Sequence, residues 1–163
     1  MLAKLLLLIL GHMVAAAHAG EFTGKVIAVL DGDTVMVVRN GTTPIKVRLA
    51  GIDAPEKEQQ FGMTSKISLT ELALYKQAIV KPQAIDIYGR LVAQLEVDGN
   101  NINEEQLRRG MAWEYSIYHS NKTYIALQRE AQLDRRGLWA EQEIIEPSLW
   151  RKLHPAVEMA PRR

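Results

Sequence analysis

Short segments of alternating apolar and polar residues dominate the first half of the chain. Residues 45–50 alternate strictly, which is the period of two of a strand with one buried face and Arg48 on the other face. Apolar, largely β-branched runs precede this segment at residues 26–30 and 35–38. Asn40-Gly41, between the second and third segments, favours a tight hairpin. The pattern therefore predicts three consecutive strands.

The pattern changes from a strand period to a helical period and back. Apolar residues recur at helical spacing over residues 61–75, which predicts a helix. Strands are predicted over residues 78–85 and 91–97. Pro82 lies inside the first of these and restricts it to a sheet edge or a bulge, because proline cannot donate a ladder hydrogen bond.

The last part of the chain is predicted to be helical. Asn103 and Asn121 are suited to cap the starts of two helices, and Gly110 is suited to follow the end of the first. Arg135 and Arg136 are predicted to lie in the last turn of the second, where the helix dipole favours cations. Five short strands, one helix after the third and helices at the end predict an α+β fold. The expected architecture is a five-stranded OB-type β-barrel with about three helices.

The N-terminal segment has the pattern of a secretory signal peptide. Lys4 begins it, an apolar run follows, and Ala17-His-Ala19 ends it with small residues. The apolar run is shorter than the roughly 20 residues that a membrane span needs; an uncleaved anchor is the alternative. We expect export to the periplasm or the medium, no stable membrane span, and a monomer. The predicted division is a signal peptide at 1–19, one domain at 20–145 and a C-terminal tail at 146–163.

Composition limits the chemistry that the chain can perform. It contains no cysteine, which excludes thiolate nucleophiles and Cys-ligated zinc. Without the first 19 residues, which hold Lys4, the chain has 19 basic and 19 acidic residues. A protein that coats nucleic acid non-specifically is usually strongly basic. Contact with a polyanion must therefore come from local placement of arginine and lysine.

Two acidic clusters offer oxygen ligands to a metal ion. Asp31-Gly-Asp-Thr34 follows the first predicted strand, and Asp53-Ala-Pro-Glu56 follows the third. The first cluster begins like a calcium hand, but residues 36–38 carry no side-chain oxygen and no glutamate closes the loop. Any further ligands must come from elsewhere in the chain.

The second acidic cluster is the obvious source of those ligands. A hard divalent ion prefers carboxylate and carbonyl oxygens, so Asp33, Asp53 and the Ala54 carbonyl form a candidate ligand set. Glu56 is then available to polarise a water molecule. The alternatives are an ordinary turn for the first cluster and a solvated acidic loop for the second.

Arginines and tyrosines complete the candidate chemistry. Arg48 and Arg90 suit a phosphodiester, because guanidinium is always charged and matches phosphate through two parallel hydrogen bonds. For each of them the alternative is a surface ion pair. Tyr88, Tyr115 and Tyr118 are candidates for stacking on bases of single-stranded nucleic acid. Their alternative is a half-buried position at the rim of the barrel.

The order of these motifs resembles the thermonuclease family, the staphylococcal-nuclease-like domain. The resemblance extends from about residue 23 to about residue 140. Exported bacterial and plasmid-encoded endonucleases are the more similar members, because they share the signal peptide and an ending like Trp150-Arg151. The segments that carry the resemblance are Asp31-Gly-Asp-Thr34, Val47-Arg-Leu49, Ile52-Asp-Ala-Pro-Glu56, Phe61-Gly62, Tyr88-Gly-Arg90, Asn103, Arg109-Gly110 and Gly137-Leu-Trp139.

The resemblance implies an OB-fold barrel with three helices and a Ca²⁺-dependent hydrolysis of DNA and RNA. Water attacks phosphorus, the bond to the 5′ oxygen breaks, and the products carry a 3′ phosphate. By motif position, the implied calcium ligands are Asp33, Asp53 and the Ala54 carbonyl.

The resemblance also implies roles for the other charged residues. Glu56 corresponds to the general base, and Arg48 and Arg90 correspond to the catalytic arginines that bind phosphate. Asp31 corresponds to a carboxylate that supports the ligands without touching the ion.

The substrate-binding positions depart in part from the family pattern. Tyr88 and Tyr118 match nucleotide-contacting tyrosines, whereas Ser116 stands where some members have a tyrosine, and Tyr115 beside it is the expected substitute. Ile87 occupies a position that is usually basic, which removes one phosphate contact. These differences bear on affinity and substrate preference and leave the reaction unchanged.

Two other functions compete with a general nuclease. One is an OB module that binds nucleic acid without cutting it, as in family members that have lost charged positions. The other keeps the chemistry but restricts the substrate, for example to single-stranded DNA during plasmid processing.

Overall fold

The computed structural model describes residues 20–155, apart from the side chain of Tyr118. The predicted signal peptide lies outside these residues and stays a prediction. None of the described helices is long and apolar enough to cross a membrane. The strands are β1 Phe22–Val29, β2 Thr34–Val38, β3 Ile45–Leu49, β4 Ile52–Asp53, β5 Gln77–Ile85, β6 Leu91–Val97, β7 Asn100–Asn101 and β8 Trp113–Glu114. The helices are α1 Gly62–Ala73, α2 Ile102–Arg108, α3 Lys122–Leu133 and α4 Pro147–Leu153, with 3₁₀ turns at Ile117–His119 and Gly137–Ala140.

Five strands close into a barrel, which confirms the predicted fold class. They follow the order β3-β2-β1-β5-β6, and β3 also pairs with β6 to close the ring. This closing pair is parallel and aligns Arg48 with Val92, whereas the other pairs in the ring are antiparallel. Alternate side chains fill the interior, as the period of two requires: Val26, Val35, Val37, Val47, Leu49, Val80 and Leu95 are all fully buried.

The hairpin and the proline strand follow the sequence prediction, with one correction. Asn40 and Gly41 both have positive φ and form the turn between β2 and β3, as predicted. Pro82 lies next to a register shift between β5 and β6, which is the predicted bulge. The alternative of an edge strand is wrong, because β5 lies between β1 and β6.

Helix α2 begins two residues earlier than the sequence predicts. The cap is Asn101, whose side chain accepts a hydrogen bond from the Glu104 amide. Asn103 is fully buried inside the helix. It accepts from the Leu95 amide at 3.0 Å and donates to the Ala50 carbonyl at 2.9 Å. The residue that looked like a cap therefore ties α2 to the barrel wall.

Helix α3 begins at the predicted cap and ends before the predicted arginines. The Asn121 side chain accepts from the Tyr124 amide at 3.1 Å, which confirms the cap. The prediction that Arg135 and Arg136 lie in the last turn is wrong, because α3 ends at Leu133. Arg135 has a φ of 52°, and this left-handed conformation cannot continue a right-handed helix.

The short helix α4 lies in the segment predicted as a tail. It starts at Pro147, which is buried at the first helical turn, where a proline costs no hydrogen bond. Trp150 of α4 lines a small cavity of about 70 Å³ together with Phe61, Trp113 and Leu138. Helix α4 thus rests on the body of the protein beside the start of α1.

Candidate active site

One cleft brings together nine of the ten residues that the sequence singles out. Its volume is about 400 Å³. It lies where the start of β2 and the ends of β3 and β4 meet the hairpin between β5 and β6. Its lining residues are Asp31, Asp33, Arg48, Asp53, Ala54, Pro55, Glu56, Tyr88, Arg90, Tyr115 and Arg151. The tenth candidate, Tyr118, lies in the 3₁₀ turn that follows Tyr115 by two residues.

The turn before β2 is held from both sides. The Asp31 carboxylate accepts a hydrogen bond from the Asp33 amide at 3.0 Å. Gly32 packs so closely against Ser65 and Ala54 that a Cβ atom there would lie 2.0 Å from the Ser65 hydroxyl oxygen. The buried Gln106 amide donates to the Gly32 carbonyl at 2.7 Å. This packing fixes the direction in which Asp33 points.

Asp33 is a buried carboxylate at the base of the cleft. It accepts from the Ala54 amide at 2.7 Å and from the Thr34 hydroxyl at 3.0 Å, and Arg48 lies 3.1 Å away. Burial raises the pKa of Asp33 to about 7 despite the lowering by Arg48. A full ion pair with Arg48 would be expected to hold that pKa low. The negative charges of Asp31 and Asp53 act in the same direction as burial and offset part of the effect of Arg48.

Arg48 is locked into the floor of the cleft. One terminal nitrogen donates to the carbonyls of Leu49 and Ile52, both at 2.7 Å. The other terminal nitrogen binds Asp53 at 3.0 Å. The side chain is only 14% exposed. Arg48 therefore points from β3 into the cleft as predicted, and its orientation is fixed by the barrel itself.

Asp53 ends β4 and is bound by two arginines. The β4–β8 pair aligns Asp53 with Trp113, and the carboxylate side chain is only 3% exposed. One of its oxygens accepts from Arg48 at 3.0 Å and from Arg151 at 3.2 Å. The other accepts from Arg151 at 2.9 Å. Arg151 also binds Glu56 at 2.7 Å.

Arg90 is presented by the exposed β5–β6 hairpin. The Asp86 carboxylate accepts from the amides of Tyr88 and Arg90 and from the Arg90 side chain. Burial acts to raise the pKa of Asp86, but these hydrogen bonds outweigh it and hold that pKa below its usual value. Arg90 also lies over the Tyr88 ring, 5.4 Å from its centroid. Asp86 thus shapes the hairpin tip and orients the guanidinium.

A second cleft continues from the first. It has a volume of about 540 Å³ and shares Arg48, Arg90 and Tyr115 with the first cleft. It extends to Asn121 and Tyr124 at the start of α3. The two clefts together form a continuous groove, with both arginines at the junction.

A buried carboxylate holds the 3₁₀ turn beside this groove. Glu114 accepts hydrogen bonds from the amide and the hydroxyl of Ser116, and it lies 2.6 Å from His119. His119 carries no recognisable partner pattern in the sequence and is expected as a surface residue. Its side chain is 69% exposed, and its partner Glu114 is a contact that the sequence did not reveal.

The donor chemistry of the cleft fits a hard divalent ion only in part. Within residues 20–155, no group of three or more His, Cys, Asp or Glu side chains is placed to hold a metal ion. Asp33 and Asp53 are buried oxygen ligands of the type that Ca²⁺ prefers. The remaining ligands must therefore come from the backbone, water or a substrate phosphate.

Comparison with known proteins identifies the family. The family described as "Staphylococcal nuclease homologue" matches residues 46–141. The chain belongs to this family. The match confirms the resemblance that the motifs indicate.

Three relatives of the staphylococcal nuclease family cover most of this chain. An endonuclease of Haemophilus influenzae, described as uncharacterized, is 40% identical over 146 residues, which are 90% of this chain and 82% of the relative. A micrococcal nuclease of Shigella flexneri is 37% identical over 143 residues, 81% of this chain and 82% of the relative. An endonuclease of Escherichia coli O157:H7, also described as uncharacterized, is 37% identical over 132 residues, 80% of this chain and 86% of the relative.

Arg151 and Gln106 are the two site residues that sequence reasoning missed. Arg151 lies outside the segment that matches the staphylococcal nuclease family, and it meets Asp53 across 98 residues of chain. The Trp150-Arg151 ending was the one available signal. Gln106 lies on a helix where a glutamine usually faces solvent, and its burial has no pattern in the sequence.

Proposed function

We propose that this protein is a calcium-dependent endonuclease that hydrolyses phosphodiester bonds in DNA and RNA and leaves 3′-phosphorylated products. Membership of the nuclease family and the endonuclease relatives support hydrolysis of nucleic acid. The observation that carries the finer proposal is the single cleft that holds Asp33, Asp53, Glu56 and both predicted arginines.

The ion would be held at the floor of the cleft. Asp33, Asp53 and the Ala54 carbonyl are the proposed protein ligands, and water and a phosphate oxygen complete the shell. A bound divalent ion supplies Lewis-acid polarisation of the phosphate and neutralises charge that develops on it. Burial of both carboxylates strengthens this interaction, because the local dielectric is lower than that of water.

Glu56 is the proposed general base. Its side chain lies at the mouth of the cleft and is 41% exposed, so water has access to it. In the proposed step, a water oxygen attacks phosphorus and gives its proton to the Glu56 carboxylate. The bond between phosphorus and the 5′ oxygen breaks, and this oxygen takes a proton. The fragments then carry a 3′ phosphate and a 5′ hydroxyl.

Arg48 and Arg90 are proposed to stabilise the charge that accumulates on the phosphate oxygens. Preorganised donors act most strongly where charge develops in the transition state. Both arginines line the junction of the two clefts, so a phosphate placed there meets them from the floor and from the hairpin. Tyr88 and Tyr115 are 77% and 50% exposed and are proposed to stack on bases along the groove, with Tyr118 as a further predicted contact.

Cleavage of plasmid DNA and of RNA by the purified protein tests the proposal. We expect both to be cut with Ca²⁺ and neither with a chelator, and the ends of the fragments to carry 3′ phosphates. Asp53→Asn should abolish the calcium-dependent rate, whereas Asp98→Asn, on the exposed turn between β6 and β7 and outside the cleft lining, should not. Absence of cleavage with Ca²⁺, or equal cleavage with chelator, would sink the proposal.

A nuclease restricted to single-stranded DNA is a second candidate. It is favoured by the hairpin tip, where Tyr88 is 77% exposed beside Ile87, which is 91% exposed, because an exposed aromatic ring stacks on unpaired bases. Initial rates on single-stranded DNA, duplex DNA and RNA decide between the two. Comparable rates on all three substrates rule out the restricted enzyme.

A further inference from the structure

A third arginine, Arg151, lies over the carboxylates of the cleft. Its two terminal nitrogens bind both oxygens of Asp53, at 3.2 and 2.9 Å, and one of them also binds Glu56 at 2.7 Å. Arg151 therefore contacts the proposed ion ligand and the proposed base at the same time.

The element that carries Arg151 is attached less firmly than the floor of the cleft. Helix α4 has only 7 residues, and an isolated helix of that length is not stable in water. Buried Pro147 and the half-buried Trp150 hold it against the body of the protein, whereas Leu149 and Leu153 are exposed. The position of Arg151 thus depends on the docking of one short segment.

Arg151 and a divalent ion would compete for the same oxygens. Carboxylate ligands bind Ca²⁺ at 2.3–2.6 Å, and in this arrangement both Asp53 oxygens already accept hydrogen bonds from Arg151. An ion beside Asp53 would also lie close to a guanidinium of like charge, which is unfavourable.

We propose that Arg151 is a tethered cation that closes the metal-free site, and that a divalent ion binds only when it displaces Arg151 from Asp53 and Glu56. This inference rests on the proposed calcium site. The closed form protects a nearly buried Asp53 from being left without sufficient counter-charge, which is costly. The open form frees the Asp53 oxygens for the ion and releases Glu56 to meet water.

The arrangement sets the apparent metal affinity of the protein. A ligand that binds only one of two conformations has its affinity reduced by the fraction of molecules in that conformation. If Arg151 is in place about nine-tenths of the time, the apparent Kd for the ion is raised about tenfold. At low metal concentration, Arg151 of α4 then stays bound to Asp53 and Glu56, and the ion does not bind.

Calcium titration by calorimetry tests the inference without using activity. We expect Arg151→Gln to bind Ca²⁺ about tenfold more tightly than the native protein. Arg151→Lys, which keeps the charge but loses the two-pronged contact, should lie between them. Lys152→Gln is the matched control, because it removes the same charge from the neighbouring position on α4. Its Kd should stay within about twofold of native.

Hydrogen exchange gives a second readout. In the native protein, saturating Ca²⁺ should speed exchange of the amides of α4, whereas in Arg151→Gln the exchange should already be fast without the ion. Equal or weaker Ca²⁺ binding by Arg151→Gln, or α4 exchange in the native protein that is unchanged by Ca²⁺, would overturn the inference. If the native protein and Arg151→Gln bind Ca²⁺ equally, only the competition fails. If no variant binds Ca²⁺, the proposed calcium site fails with it.

Discussion

The floor and the rim of the cleft are built by different means. On the floor, Asp33, Arg48 and Asp53 are held by buried hydrogen bonds to the backbone and to one another. On the rim, Arg90 depends on the local turn that Asp86 forms, and Arg151 depends on a short docked helix. Charge on the floor is therefore positioned by the barrel, whereas charge on the rim is positioned by short segments that are held by few contacts with the barrel.

Because of this difference, variants of the floor and variants of the rim should affect different properties of the protein. A preorganised floor stabilises developing charge without reorganisation at the moment of reaction. Variants on the floor should therefore change folding and activity together, and variants on the rim should change activity or binding alone.

The largest effect is expected for Arg48→Ala. The change leaves Asp33 and Asp53 with less counter-charge and two carbonyls without a donor. Removing one partner of a buried ion pair costs about 3–5 kcal/mol. We expect a loss of about 3 kcal/mol in unfolding free energy, measured by urea denaturation, together with loss of cleavage. Lys46→Ala, an exposed neighbour on β3, is the control. If Arg48→Ala lost activity but kept its stability, Arg48 would behave like a residue of the rim, and the distinction between floor and rim would fail.

A smaller total effect is expected for Arg90→Ala. Removing one donor to a developing oxyanion costs roughly 100-fold in rate, which corresponds to about 2.7 kcal/mol. The unfolding free energy should change little, because within residues 20–155 the Arg90 side chain is hydrogen-bonded only to Asp86 of its own hairpin. Initial cleavage rates and urea denaturation measure the two quantities, with exposed Arg129→Ala as the control. Unchanged turnover in Arg90→Ala would show that Arg90 does not stabilise the transition state, whereas a module that binds nucleic acid without cutting it would show no turnover even in the native protein.

Gln106→Leu tests how the floor is supported. The variant leaves the Gly32 carbonyl and the Ser68 hydroxyl without their buried partner. We expect a loss of about 2 kcal/mol in unfolding free energy, because an unsatisfied buried polar group costs about 1–3 kcal/mol. Exposed Gln132→Leu on α3 is the control. Equal stability of the two variants would show that the turn before β2 does not need support from α2.

The smallest effect is expected from the His119–Glu114 pair. The hydrogen bond that His119 donates to the Glu114 carboxylate raises the pKa of His119 above 6.5. Burial acts to raise the pKa of Glu114, but hydrogen bonds from His119 and Ser116 hold it below 4.5. The pair therefore contributes stability that is complete between about pH 4.5 and 6.5. The contribution is lost as His119 deprotonates at higher pH and as Glu114 protonates at lower pH.

The variant His119→Gln tests whether the pair stabilises the protein only in that pH range. The variant should melt below the native protein at pH 6, and the two should converge at pH 9, where neither carries a charge at position 119. Melting temperature at the two pH values is the measurement, and His154→Gln controls for loss of an exposed imidazole. A difference of the same size at both pH values would show that the contact is not ionic.

Local patterns predicted the barrel well and some helix boundaries poorly. The strand period, the Asn40-Gly41 turn and the bulge at Pro82 depend on neighbouring residues, so the sequence carries them directly. The prediction that Asn103 caps α2 failed because its side chain accepts a hydrogen bond from Leu95 on β6 instead of from an amide at the start of its own helix. The prediction for Arg135 failed because its backbone is left-handed, a conformation that an arginine rarely adopts and that its residue type does not signal.

The residues of the candidate site likewise fall into those that the sequence predicted and those that it did not. Residues inside motifs, such as Asp33, Asp53 and Arg90, were recognised because short segments place them at strand ends. The contacts of Arg151 and Gln106 depend on helices packing across the molecule, at separations of 98 and 74 residues. No periodicity records such contacts, so only the folded structure reveals them.

The parallel pairing of β3 with β6 also has a consequence for biosynthesis. Arg48 is aligned with Val92, two positions after Arg90, so the strand pair that closes the barrel also brings the two arginines together. A chain whose barrel is still open has no complete phosphate site. Hydrolysis would then begin only once β3 has paired with β6, and a chain whose barrel is still open would not cut the nucleic acid around it.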